Sequence, residues 1–373
     1  MIWLRSPIVL PDLEGSGRTL LAEDAYVVAM SLDDAVSLRQ IDRSSMLHEM
    51  ENTPSRLKPP ADAKATFPNP FDEPRNIIIG GVGGSGIAGD IVTDYLKTRS
   101  KIPISVCRAY NLQNDVDADT LFVAISYSGE TRETLSLLDE ANKRGAKVVT
   151  ISSGGTMLVN SIAKRIPYLK VVPGLPPRVA LPELLAALLF ALGEGILLEQ
   201  PATILTRASN SLDSEIRTVR FDTPTEDNQA KQMAERLHNR LPLLLGPEER
   251  VSVLRRFKNE LNENSKIPAI YMTIPECYHN DIEGFESLQK FSSVQPILLR
   301  TEKQFKTTES LYSLLSELAV PPIMTFAGQG EDVFSELLTA VTFGDFVSVY
   351  LALLRQVDPT TLHLIPKFKT ATD

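Results

Sequence analysis

The stretch Asn76-Ile-Ile-Ile-Gly-Gly-Val-Gly-Gly-Ser-Gly86, with its counterpart Leu121-Phe-Val-Ala-Ile-Ser-Tyr-Ser-Gly-Glu-Thr131, decides how this 373-residue chain is read. Each begins with an apolar run of strand length, passes through a turn of glycine and hydroxyl residues, and enters a helical pattern. Strand, small-residue turn and helix in succession predict a parallel sheet covered by helices on both faces. Glycines let backbone N–H groups approach an anion closely, and a helix N-terminus behind the turn favours negative charge. Gly84, Ser85, Ser126, Ser128 and Thr131 are the candidate donors. One such turn would mean little; two at successive strand ends point to a phosphorylated small molecule.

Outward from these turns the alternation continues. Strands are expected at Ile104–Cys107, Lys147–Ile151 and Tyr168–Val172, with helices over Ala88–Lys97, Thr131–Arg144 and Leu181–Leu198. A weaker second cycle begins with the strand Leu241–Leu245 and the helix Val251–Glu263. It continues through Ala269–Met272, Gln295–Leu299 and Pro322–Phe326 to a final helix over Ser335–Leu354. The fold class expected is therefore α/β, with two doubly wound subdomains. Their bounds are read as residues 75–220 and 221–373, after an N-terminal extension and packing helix over residues 1–74. Within that first part Leu32–Glu51 has helical spacing, and the proline-rich run from Pro54 to Pro74 reads as a loop. The second cycle lacks the glycine-serine turns, so it is expected to keep the fold without the phosphate site.

Composition narrows the classes. A net charge of −9 gives no general nucleic-acid footprint. Cys107 and Cys277 have neither metal-ligand spacing nor the makings of a disulfide framework, as suits a reducing cytoplasm. The apolar run Leu184–Leu192 is too short to span a bilayer and reads as a buried helix. The N-terminal run lacks a secretory pattern, so a cytoplasmic location is expected.

Gly81-Val-Gly83-Gly-Ser-Gly86 matches a dinucleotide fingerprint, yet the second strand ends in Val106-Cys107-Arg108 without the acidic residue that a ribose needs. Arg108 would suit only a 2′-phosphate. A Walker A loop is excluded because no Gly-Lys-Ser/Thr follows. A sugar phosphate seated across both turns explains the recurring hydroxyls better.

With these residues in hand the chain resembles sugar isomerase (SIS) domain proteins. More narrowly, it is similar to the bifunctional phosphoglucose/phosphomannose isomerases of the phosphoglucose isomerase superfamily. The likeness rests on GGVGGSGIAGD, SYSGET, Pro177-Arg178-Val-Ala180, Leu261-Asn-Glu-Asn264 with Lys266, Tyr278-His-Asn280, and Tyr350-Leu-Ala-Leu-Leu354 with Val357-Asp-Pro-Thr360. It implies a cofactor-free, metal-free interconversion of glucose 6-phosphate or mannose 6-phosphate with fructose 6-phosphate through an enediolate. By the same likeness Ser85, Ser126, Ser128 and Thr131 hold the phosphate, and Glu263 is the base. His279 opens the sugar ring in a neighbouring subunit's site, which implies a homodimer. Arg178 stands near the enediolate, and Thr360 and Lys367 line the sugar, with Lys369 as the alternative lysine. Thr360 takes the place of a larger glutamine in single-substrate glucose enzymes, leaving room for both C2 epimers. Three other readings remain open: a non-catalytic sugar-phosphate-binding regulator, an aminosugar isomerase or deaminase, and, last, an NADP-dependent oxidoreductase. From its sequence setting alone, Arg178 could instead pair with Glu183.

Overall fold

The computed structural model describes residues 31–61, 74–301, 306–318 and 322–372, and residues from Leu32 onward form one compact unit. The first 30 residues of the N-terminal extension lie outside the described residues. Five parallel strands make the first sheet: β1 (Asn76–Gly80), β2 (Ile104–Cys107), β3 (Thr120–Ile125), β4 (Lys147–Ser152) and β5 (Tyr168–Lys170), in the order β2-β1-β3-β4-β5. Every residue of β1 and β3 is buried, as expected for strands covered on both faces. Four parallel strands make the second sheet: β6 (Leu241–Pro247), β7 (Ile270–Ile274), β8 (Val294–Arg300) and β9 (Met324–Ala327), in the order β7-β6-β8-β9. The predicted fold class is the observed one.

In the first sheet the connections leave β1 and β3 on opposite sides, so the crevice between their carboxyl ends is the topological switch point where α/β sheets bind ligands. Both glycine-serine turns stand there. The helix Gly84–Leu96 that leaves the first turn packs against the helix Val251–Glu263 of the second sheet. Polar contacts lock this junction. Asp94 accepts from the Ser252 N–H at 2.8 Å at the start of Val251–Glu263, and Asp90 pairs with Arg255 at 2.7 Å.

At the centre lies Val333–Leu354, an apolar helix packed against Pro201–Val219, Gln229–Leu237 and Val251–Glu263. It is long and apolar enough to cross a membrane, but 89% of its apolar window is buried inside the protein, as in a core helix. The 220–221 divide falls between Pro201–Val219 and the 3-10 turn Thr225–Asp227.

Some local expectations need correcting. Leu32–Glu51 is not one helix but two, Ala35–Ile41 and Met46–Glu51, because Asp42 turns inward to accept from the Met46 and Leu47 N–H groups at 2.7 and 3.0 Å. The proline-rich segment opens with a short helix, Thr53–Arg56, with Pro54 in its first turn, a position where proline costs no hydrogen bond. Cys107 and Cys277 are both free thiols.

Candidate active site

The first turn is tighter than the glycine count suggests. Only Gly81–Gly83 lie between the strand and the helix: Gly83 adopts φ 57°, a conformation that favours glycine, and Gly84 is already the first helical residue. The opening N–H groups of this helix have no intrahelical acceptor by their position and face the crevice end of the sheet. Ser85, 8% exposed, links the turns, its Oγ accepting from the Tyr127 N–H at 3.2 Å.

In the second turn Ser126 is 1% exposed. Its hydroxyl lies 2.9 Å from Thr131 Oγ1 and accepts from the Gly129 N–H at 3.1 Å. Thr131 is the N-cap of Arg132–Lys143, and its side chain makes no cap bond to that helix. Ser128 Oγ accepts from the Glu130 N–H at 3.2 Å and is exposed. All five candidate phosphate residues thus gather at one sheet edge. Gly129 (φ 71°) makes the turn possible, since a Cβ there would stand 1.9 Å from the Gly154 carbonyl oxygen. Gly129→Ala is expected to cost at least about 1–3 kcal/mol from backbone strain alone. It should also raise KM for a phosphorylated substrate, as urea unfolding and steady-state kinetics would reveal.

Tyr127 extends this edge toward the second sheet. Its hydroxyl donates to the Val172 carbonyl at 3.0 Å and accepts from the Leu175 N–H at 2.8 Å, fixing the segment that leads to Arg178. That segment passes beside Gly84, whose Cβ position is 3.5 Å from the Pro177 carbonyl oxygen.

Arg178, 6% exposed, is where the two halves meet. Its Nε lies 3.6 Å from Glu263 Oε2. Its Nη1 donates to Asn264 Oδ1 and to the Pro359 carbonyl at 2.7 Å, and its Nη2 to the Thr360 carbonyl at 2.5 Å. The alternative partner, Glu183, lies instead 3.8 Å from Arg56. Glu263 is the last residue of Val251–Glu263, a helix whose span the sequence predicts residue for residue, and its side chain is 28% exposed. Lys266, in a left-handed conformation at φ 56°, donates to the carbonyls of Glu263 and Asp358 at 2.7 and 2.9 Å, with those of Asn264 and Pro359 at 3.1 and 3.2 Å. Burial and the neighbouring Arg178 push its pKa down to about 8. Two cations therefore pin the Asp358-Pro359-Thr360 loop beside Glu263. Within it the Thr360 hydroxyl is buried without a hydrogen-bond partner.

Beneath Glu263 lies a buried charge cluster. Arg256, 2% exposed, forks onto Asp345 at 2.8 and 2.9 Å and meets Glu260 at 2.8 Å. Burial raises the pKa values of Glu260 and Asp345.

Arg178, Glu263 and Thr360 thus come together, and His279 stands apart from them. His279 is exposed in the 3-10 turn Glu276–His279, beyond the carboxyl end of β7. Glu263 lies at the opposite edge of the second sheet, because its helix of 13 residues, about 20 Å long, runs back from the end of β6 toward the start of β7. Lys367 is exposed on the helix Leu364–Thr372. Arg108 bonds Asp90 and, at 3.1 Å, the Gly86 carbonyl, so its guanidinium is already engaged within the protein rather than held for a 2′-phosphate.

Residues 71–181 match the SIS domain family, and residues 226–371 match the bacterial phospho-glucose isomerase C-terminal SIS domain. The bifunctional phosphoglucose/phosphomannose isomerase of Caldicellulosiruptor bescii is 30% identical over 79% of this chain and 88% of its own. A D-glucosamine-6-phosphate 4-epimerase of Sulfolobus acidocaldarius is 27% identical over 78% of this chain and 87% of its own. In fold, a glucose-6-phosphate isomerase like protein from Thermus thermophilus superposes with a TM-score of 0.60 at 18% identity, covering 91% of this chain and 99% of that one.

Proposed function

This chain belongs to the family of bifunctional phosphoglucose/phosphomannose isomerases, and we propose that it interconverts glucose 6-phosphate and mannose 6-phosphate with fructose 6-phosphate by proton transfer. One observation carries the reading. The segment that ends in Arg178 passes beside Gly84 of the phosphate turn and brings its guanidinium to 3.6 Å from the Glu263 carboxylate. A hexose anchored by its phosphate at the turns has its C1–C2 end directed toward an acid–base group and a cation.

The chemistry follows from that placement. The Glu263 carboxylate takes the proton from C2 of the open-chain aldose, the C–H electron pair forms the C1–C2 double bond, and charge moves onto O1. Arg178, desolvated and rigidly held, stabilises that oxyanion. The O2 proton passes to O1, and Glu263 then returns its proton at C1 as the C2–O bond becomes the ketone. One carboxylate serves both epimers if the enediolate turns about C2–C3, and the small Thr360 leaves the room. Lys367 is assigned to the sugar side. Ring opening falls to His279, in keeping with a cytoplasmic homodimer on the hexose phosphate route of glycolysis and gluconeogenesis.

The opposite placement of Glu263 and His279 within one chain supports sharing of each site between two subunits. Coexpressed Glu263→Gln and His279→Ala subunits, each inactive alone, are expected to regain activity in the mixed dimer. One of its two sites would then combine Glu263 from one chain with His279 from the other. A mixture as inactive as its parents contradicts the shared site.

A coupled assay of the purified protein with EDTA present tests the reaction itself. Turnover of glucose 6-phosphate and mannose 6-phosphate is the expected result. Activity confined to glucosamine 6-phosphate, or fructose 6-phosphate bound without turnover, would replace it with an aminosugar enzyme or a regulator.

A further inference from the structure

Asn264 closes the Leu261-Asn-Glu-Asn264 motif and takes no part in the chemistry above, yet it is 1% exposed and saturated with hydrogen bonds. Its Nδ2 donates to Glu260 Oε2 at 2.9 Å and to Ser348 Oγ at 2.9 Å. Ser348 has spent its own proton on the Asp345 carbonyl at 2.6 Å, so it can only accept here. The amide oxygen therefore has one direction left, toward Arg178 Nη1. Glu260 is in turn fixed by Arg256 at 2.8 Å.

We propose that Asn264 is a positioning residue that transmits the fixed orientation of the buried Glu260 to Arg178 and keeps the guanidinium Nε aimed at Glu263. The inference rests on the reading of Glu263 and Arg178 as the groups that act on the substrate. Loss of the amide removes one of the two acceptors of Nη1, and the hydrogen bonds left to the guanidinium are those to the Pro359 and Thr360 carbonyls of a loop.

Kinetics of Asn264→Ala and Asn264→Asp beside Glu263→Gln test this. Asn264→Ala is expected to lose kcat by about 10–100-fold with KM within about twofold, because the phosphate turns lie elsewhere. Asn264→Asp is more discriminating. The charged groups around position 264 are Glu260 and Arg256 on its own helix, Glu263, Lys266, Arg178, Asp345 on Val333–Leu354, and Asp358 in the C-terminal loop. A protonated carboxyl there can donate to Glu260 and accept from Arg178, giving up only the bond to Ser348, whereas an ionised one opposes Glu260. Activity of Asn264→Asp relative to the unmodified enzyme is therefore expected to climb at least fivefold as pH falls from about 8 to about 6. If Asn264→Ala does not fold, this profile decides alone. Unchanged kcat in Asn264→Ala or a flat Asn264→Asp ratio, with Glu263→Gln inactive, overturns the role of Asn264 only. Full activity in Glu263→Gln overturns the site reading and this inference together.

Discussion

Replacement of Glu263 by glutamine is expected to lower kcat by about 10²–10⁴-fold, the usual contribution of a positioned general acid–base group. The amide keeps the shape of the side chain and can still face Arg178, but it cannot carry a proton between C2 and C1. Phosphate binding should survive, because Ser126, Ser128 and Thr131 belong to the edge of the first sheet and share no contact with Glu263. KM is therefore expected to stay within about threefold. The coupled assay gives both numbers. A Glu263→Gln enzyme with near-normal kcat would move the proton transfer to another group.

The second large effect is on stability. Arg256→Met is expected to cost about 3–5 kcal/mol in urea unfolding, because it strands two carboxylates, Glu260 and Asp345, inside the protein. The pH dependence has a definite sign. Burial raises both carboxyls above their unfolded values. Their protonated forms therefore favour folding, a contribution fully present below the ordinary carboxylate range and lost as pH rises through the folded values. Without Arg256 the raising is greater, so the gap between Arg256→Met and the unmodified protein should be wide at pH about 8 and narrow toward pH about 4.5. A gap that does not change with pH would mean that lost packing, not stranded charge, is the cause.

The fold was legible because its signals are local. Ile77–Ile79 and Leu121–Ile125 read as buried strands, and Val251–Glu263 as a helix, since apolar spacing alone marks them. The helices Pro201–Val219 and Gln229–Leu237 flank a region that reads from sequence only as a polar boundary. Pro201 at a helix start and Asn228 accepting from the Lys231 N–H as an N-cap were the cues available there. Gly155–Lys164 was hidden behind its two glycines. In the site, the turns could be read because glycine and serine at strand ends carry their own meaning. Arg178 could not be placed the same way: Glu183 is its neighbour in sequence, and only the packing of the two sheets brings it to Glu263. The buried support was partly visible in retrospect. Arg256, Glu260 and Asn264 recur every four residues along one helix face, a pattern of paired charges on an otherwise buried stripe. Asp345 and Ser348 complete it from a helix whose apolar character gave no hint of a polar partner.

Glu263 moves a proton between C2 and C1 of a hexose 6-phosphate, and fructose 6-phosphate turnover in D₂O followed by NMR is the sharpest test of that transfer. A carboxylate that holds the proton between steps lets some of it exchange with solvent. Deuterium is therefore expected at C2 of both the glucose 6-phosphate and the mannose 6-phosphate formed, and at neither product with Glu263→Gln. Turnover at the unmodified rate with no solvent deuterium in either product would contradict proton transfer through Glu263.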